Sequence, residues 1–151
     1  MVDWEKFSKG FLKDWFQAFM DGLNSETTEE VKTNLMEYCG RACARNHAVE
    51  LFRKIKKNTN NLDEFIVEIN KALQGTKWQK MDEQLLSVEY EKCFCPLVST
   101  GLVKVDLPTR CFCSLGWLKE NLEIVLEKPV NISLEQSIAK GDSLCKFRVE
   151  F

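Results

Sequence analysis

Glycine and proline are scarce in this chain, seven and three of 151 residues, which excludes a collagen-like or mainly disordered polypeptide. Histidine is scarcer still. His47 stands alone, so a Ser-His-Asp triad has one candidate base and no recognisable partners near it in sequence. Glycine-rich nucleotide-binding motifs are absent. No uninterrupted apolar run approaches membrane-spanning length, and the opening Met1-Val2-Asp3-Trp4-Glu5 lacks the basic and then hydrophobic order of an export signal. The expectation is a cytoplasmic protein that does not engage membranes. Charge of one sign is missing as well: residues 1–76 and 77–151 each carry one more acid than base, so neither half reads as a nucleic-acid surface.

What is present is a globular composition, 44% hydrophobic and 29% charged. A chain of this length forms a single domain and buries roughly 70% of its unfolded surface, so no disulfide or metal staple is required. Seven cysteines are an odd number that cannot pair completely, and reduced thiols are the working expectation.

Hydrophobic spacing divides the chain. Trp4, Phe7, Phe11, Trp15 and Phe19 fall on one face of a helix broadened by Leu12, Phe16 and Leu23 and closed at Gly22. Such a stripe predicts core packing, or a homodimer interface if the face extends beyond one chain. Thr27 and Glu30 form a capping-box pattern before a second helix with Val31, Leu35, Tyr38, Cys39, Ala42 and Cys43. Gly40 there suits a close crossing by another backbone. Helices follow over 48–57 and from Leu62 to Leu73, with Gly75 as a stop. The basic stretch Arg53, Lys54, Lys56 and Lys57 reads as a solvated helix end.

Beyond residue 76 the period falls to two. Leu86, Val88 and Tyr90 alternate with polar residues, as do Val130, Ile132 and Leu134, and then Cys145, Phe147, Val149 and Phe151. A helix from Ser114 to Leu126 ends at Lys128-Pro129. The expected fold is α+β: a helical layer, residues 1–76, packed against an antiparallel β-sheet with one intervening helix, residues 77–151.

The thiols are the chief functional signal. Cys39, Cys43 and His47 recur every four residues, but the outer two lie about 12 Å apart along a helix, too far to share one metal ion. At most one adjacent pair can chelate, so Cys39 and Cys43 either pack within a helix interface or serve a pocket, as substrate-binding residues, or a ligand role. Cys93 and Cys95 share one side of an uninterrupted strand, unless a bulge before Pro96 resets the parity. Cys111 and Cys113 sit beside Arg110 at a helix start, a setting that can stabilise a thiolate. Cys93, Cys95, Cys111 and Cys113 could together form a four-thiolate zinc or iron–sulfur site, with Cys145 as a further ligand or an inward-facing core residue.

The run Cys111, Pro129-Val130, Ser137-Ile138, Gly141-Asp142 and Cys145-Lys146-Phe147 resembles the L-2-amino-thiazoline-4-carboxylate hydrolase family and the related vinyl-reductase-like (4VR) small-molecule-binding domains. The likeness covers residues 78–151, and the helix from Met36 to Ala44 resembles the one preceding that module in the hydrolase-like group. Related sensors carry a zinc pattern, an early Cys and a later Glu-x-x-Cys-x7-Cys. Cys111 and Cys145 match its outer positions, whereas Ser137 stands where the middle Cys belongs and Leu134 where the Glu belongs, so that zinc site does not carry over.

The resemblance implies a small-molecule ligand and, in the hydrolases, opening of a cyclic C=N bond by activated water or a thiolate. Cys111 or Cys113 would be the nucleophile or ligand, His47 or Asp142 the proton-transfer group, and Arg110 or Arg41 the partner of a substrate carboxylate. A gly-turn reading of Gly141, with Asp142 as its cap, explains the same residues without catalysis. A non-enzymatic ligand sensor or interaction module and a structural cysteine-rich zinc or iron–sulfur protein are the alternatives.

Overall fold

The computed structural model describes residues 2–104 and 108–151. Four helices come first: α1 (Trp4–Glu26), α2 (Glu29–His47), α3 (Val49–Lys57) and α4 (Leu62–Ala72). Strands β1 (Thr76–Asp82) and β2 (Leu85–Tyr90) follow, then a one-turn helix α5 (Pro96–Ser99), a 3-10 turn (Pro108–Cys111) and α6 (Phe112–Leu126). Strand β3 (Asn131–Gln136), a 3-10 turn (Ile138–Lys140) and β4 (Cys145–Glu150) end the chain. This is the expected α+β order. The sheet is antiparallel throughout, in the order β1-β2-β4-β3.

Register explains which sheet face is buried. Trp78 pairs with Val88, Val88 with Phe147, and Val149 with both Leu86 and Ile132, so the apolar member of each alternation reaches the same face. That face meets Phe52 of α3, Phe65 and Ile69 of α4, and Leu118 and Leu122 of α6, all almost completely buried. Phe52 touches the rings of Phe65, Trp78 and Trp117, with centroids 5.5–5.9 Å away. A smaller cluster gathers Met20, Leu23, Met36 and Val103.

The helix α2 packs on α6. Two glycines permit this. A Cβ on Gly40 would fall onto the backbone carbonyl of Cys113, and one on Gly116 onto that of Glu37. The expected close crossing at Gly40 is present, with Gly116 as its counterpart. Ion pairs edge the seam: Arg41 reaches Glu123 at 2.8 Å and Glu120 at 3.1 Å, and Lys119 reaches Glu37 at 2.7 Å.

Several local expectations change. The helix α1 runs past Gly22 to Glu26, since a helical glycine with a free flank costs only propensity. Thr28, rather than Thr27, caps α2 by accepting from the Val31 amide at 3.3 Å, while Thr27 donates back to the Leu23 carbonyl at 2.6 Å. Strand β1 has no clear sequence signal because Trp78 is its only buried residue. Cys93 and Cys95 do not extend a strand. Pairing stops at Tyr90, and Pro96 opens α5 with Cys95 as its N-cap residue. The largest correction concerns α1, whose aromatic stripe is exposed: Trp4 retains 69% and Phe11 56% of their accessible surface. Only the C-terminal part of α1, through Met20 and Leu23, reaches the body of the protein. Among the described residues no helix is long and apolar enough to cross a membrane.

Candidate functional site: a cysteine-lined cavity

The helices and the sheet enclose a cavity of about 550 Å3. Six of the seven cysteines line it: Cys43 from α2, Cys93 and Cys95 from the β2–α5 connection, Cys111 and Cys113 at the start of α6, and Cys145 at the start of β4. The convergence follows from topology. The β2–α5 connection leaves the sheet beside β4, and the Gly40 crossing sets Cys43 close to the first turn of α6.

Polar contacts fix the back wall. The Cys111 Sγ lies 3.2 Å from the Ser137 hydroxyl. Ser137 is itself held by its amide, which donates to the Asp142 carboxylate at 2.7 Å, and by the Ala139 amide, which donates to its Oγ at 3.2 Å. Cys145 accepts a weak bond from the Ile138 amide at 3.5 Å. Arg110 is buried, lines the cavity, and donates from Nη1 to the Cys93 sulfur at 3.0 Å.

Burial holds four of these thiols, Cys43, Cys111, Cys113 and Cys145, in the neutral form. Burial pushes the Cys113 thiol up to about 12, and the neighbouring Cys95 and Cys43 add to the effect. Burial also raises Cys111; the Ser137 hydrogen bond and the Arg110 charge pull it the other way without reversing the shift. Cys43 and Cys145 are raised for the same first reason. The sequence-based idea that Arg110 stabilises a thiolate at Cys111 is therefore corrected: desolvation outweighs the neighbouring charge, and burial raises Cys113 as well.

The remaining sequence candidates separate. His47, the last residue of α2, is exposed but lines the cavity. Asp142 is exposed, is not part of the wall, and caps the Ser137 turn. Arg41 also lies outside the cavity, engaged by Glu37, Glu120 and Glu123, and Cys39 is exposed away from it. Among the described residues no group of three or more His, Cys, Asp or Glu is placed to hold a metal ion. The proposed set Cys93, Cys95, Cys111, Cys113 and Cys145 thus shares one cavity without forming a ligand cluster.

Tyr90, Trp117, Leu51 and Phe94 line the wall without a functional signal in the sequence, and Phe147, part of the run that carries the family resemblance, joins them. The Tyr90 ring packs on Phe147 at 5.1 Å and meets Phe94 edge-on at 5.8 Å. Burial raises the Tyr90 phenol and keeps it neutral. In sequence these residues carry the same apolar periodicity as core residues, and nothing distinguishes a cavity wall from a filled core.

Fold and site together define an α+β unit with an apolar, thiol-rich cavity between its helices and its antiparallel sheet. Among solved structures it is similar to a trafficking protein particle complex subunit 3 from Naegleria fowleri covalently bound to palmitic acid, with 14% identity, a TM-score of 0.54, and coverage of 96% of this chain and 95% of that one. It is also similar to the phenol-responsive sensory domain of the transcription activator PoxR bound to phenol, with 9% identity, a TM-score of 0.59, and coverage of 92% and 73%. These likenesses establish the fold. No curated protein matches the chain in sequence. The chain belongs to DUF6144, a family of unknown function, which matches residues 5–150.

Proposed function

We propose that this chain is a small-molecule-binding domain whose cavity takes a largely apolar ligand, such as a simple aromatic or medium-chain aliphatic compound. The observation that carries the reading is the composition of the wall: among the described residues it consists mostly of thiols, aromatic rings and aliphatic side chains. A volume of about 550 Å3 lies within the range of small-ligand sites. Arg110, engaged by Cys93, marks a polar edge of the cavity, and the apolar wall accommodates the ligand. Two proteins of this fold are named for apolar occupants, phenol and palmitic acid, which supports the same class here.

Binding without turnover is the reading preferred over the ring-opening hydrolysis implied by the family resemblance. Hydrolysis would use Cys111 or Cys113 as a thiolate with His47 as proton carrier, and burial disfavours the thiolate at both positions. Asp142 is committed to a turn outside the cavity. The test is a thermal-shift and calorimetry series of phenol, toluene and medium-chain alkanols against polar molecules of similar size such as glycerol and glucose, together with the cyclic thiazoline carboxylate followed by mass spectrometry. The apolar members should raise the melting temperature and bind at least tenfold more tightly than the polar ones, with that preference reduced in Phe94→Asp and no ring-opened product formed. Equal affinity for apolar and polar members would refute the apolar-ligand reading. Ring-opened product would replace binding with catalysis.

A further inference from the structure

Among the described residues nothing covers the N-terminal half of α1: every residue from Val2 to Trp15 is exposed. At 100° per residue, Trp4, Phe7, Phe11 and Trp15 fall on one face, roughly opposite the face through which Met20 and Leu23 reach the body. The stripe is ordered locally, with the Trp15 and Phe19 rings stacked at 5.8 Å and 4°. A helix held at one end only is marginal in water.

A second apolar surface lies on α2. Val31, Leu35 and Tyr38 follow one another at helical spacing and are all exposed, on the side facing away from the α6 seam. The two surfaces do not cover each other within the chain. The link Thr27–Thr28 is extended, with ψ of 160° at both residues, and α1 and α2 meet in the small cluster of Met20, Leu23, Met36 and Val103, which leaves both apolar faces uncovered.

We propose that a second copy of this chain covers both surfaces, in a two-fold dimer where the aromatic face of each α1 lies on the Val31–Leu35–Tyr38 face of the other copy's α2. A two-fold operation satisfies both unpartnered faces at once, because each copy supplies one of each. The area is sufficient. With about 150–250 Å2 per aromatic side chain, the exposed fractions of the α1 and α2 residues sum to roughly 900 Å2 per copy, against about 800 Å2 contributed by each partner in a stable interface. Charge disfavours an anionic lipid surface as the occupant, since residues 3–26 hold five acids and three lysines.

The test is sedimentation-equilibrium mass over a wide concentration range for the whole chain and three variants. The unaltered protein should be dimeric. Phe11→Ser with Trp15→Ser should weaken the dimer at least tenfold, and so should Tyr38→Glu, which lies on the other helix. Phe7→Ser should weaken it less. All four positions are exposed, and far-ultraviolet circular dichroism checks that the fold is retained in each variant. A monomer at every concentration overturns the proposal, as does a dimer indifferent to Tyr38→Glu. Sedimentation of the chain with phosphatidylglycerol vesicles in place of self-association would assign the face to membrane instead.

Discussion

The first helix and the α2–α6 crossing use opposite chemistry and meet opposite fates. The stripe on α1 holds some of the largest apolar side chains in the chain and remains in solvent, whereas the α2–α6 seam is centred on Gly40 and Gly116 and is tightly closed. Burial here follows the available partner rather than side-chain size. Two helix backbones can approach where side chains are missing, and the contact area comes from the flanking residues and main chain. A row of rings on a single helix has nothing equivalent to meet in its own chain.

The comparison breaks most severely at the seam glycines. Gly116→Ala, and separately Gly40→Ala, should each cost about 3 kcal/mol in urea unfolding, the upper end for overpacking, because the added methyl meets backbone that cannot rotate aside. Gly10→Ala in α1 sharpens the contrast. Nothing lies within 4 Å of its Cβ position, so it should stabilise the chain or leave it unchanged, within about 1 kcal/mol. Equal losses at Gly10 and Gly116 would contradict the described crossing.

A smaller effect comes from the thiols beside that seam. The Cys113 thiol is raised from its ordinary range, near 8.5, to about 12, so the stability linked to its proton is fully present below about pH 8.5 and declines as pH rises toward 12. The urea midpoint should therefore fall steadily between pH 8 and 10, and Cys113→Ala should fall less steeply. A flat profile would mean that Cys113 is not desolvated.

The ion pairs along the seam give the smallest change. Arg41 holds the Glu123 carboxyl below its ordinary range, so the associated stability is present above about pH 4.3 and is lost as pH falls through the depressed value. Arg41→Gln should cost about 1 kcal/mol at neutral pH, since both side chains are partly exposed, and should remove that acid-side loss. An unchanged acid limb would show that the pair contributes nothing measurable.

Much of the architecture was legible from periodicity. The α3, α4 and α6 helices and the β2, β3 and β4 strands each bury residues at the spacing their sequence displays, whereas α2 buries Lys32, Met36, Gly40 and Ala44 and leaves Val31, Leu35, Tyr38 and Cys39 of its expected stripe exposed, because the close α6 crossing selects the small-residue face. Strand β1 was not, because it buries Trp78 alone among polar neighbours. Helix α1 was legible as a helix, but its orientation toward solvent was not, since a wheel specifies a face and not its neighbour. The cavity was legible only in part. The cysteine clusters are visible as spacings, yet their meeting depends on the Gly40–Gly116 crossing and on the antiparallel pairing of β2 with β4, which bring distant segments together. The neutral state of Cys111 and Cys113 depends on burial, which the adjacent Arg110 and the α6 start did not reveal.

A wall built from thiol sulfur is soft and polarizable, and its character lasts only while the sulfur stays reduced. Conversion of a single one of these side chains to a sulfinate would set a permanent negative charge in a largely apolar chamber. The same desolvation that makes these groups poor nucleophiles also slows that conversion, so the receptivity of the chamber and its resistance to oxidants have a common origin.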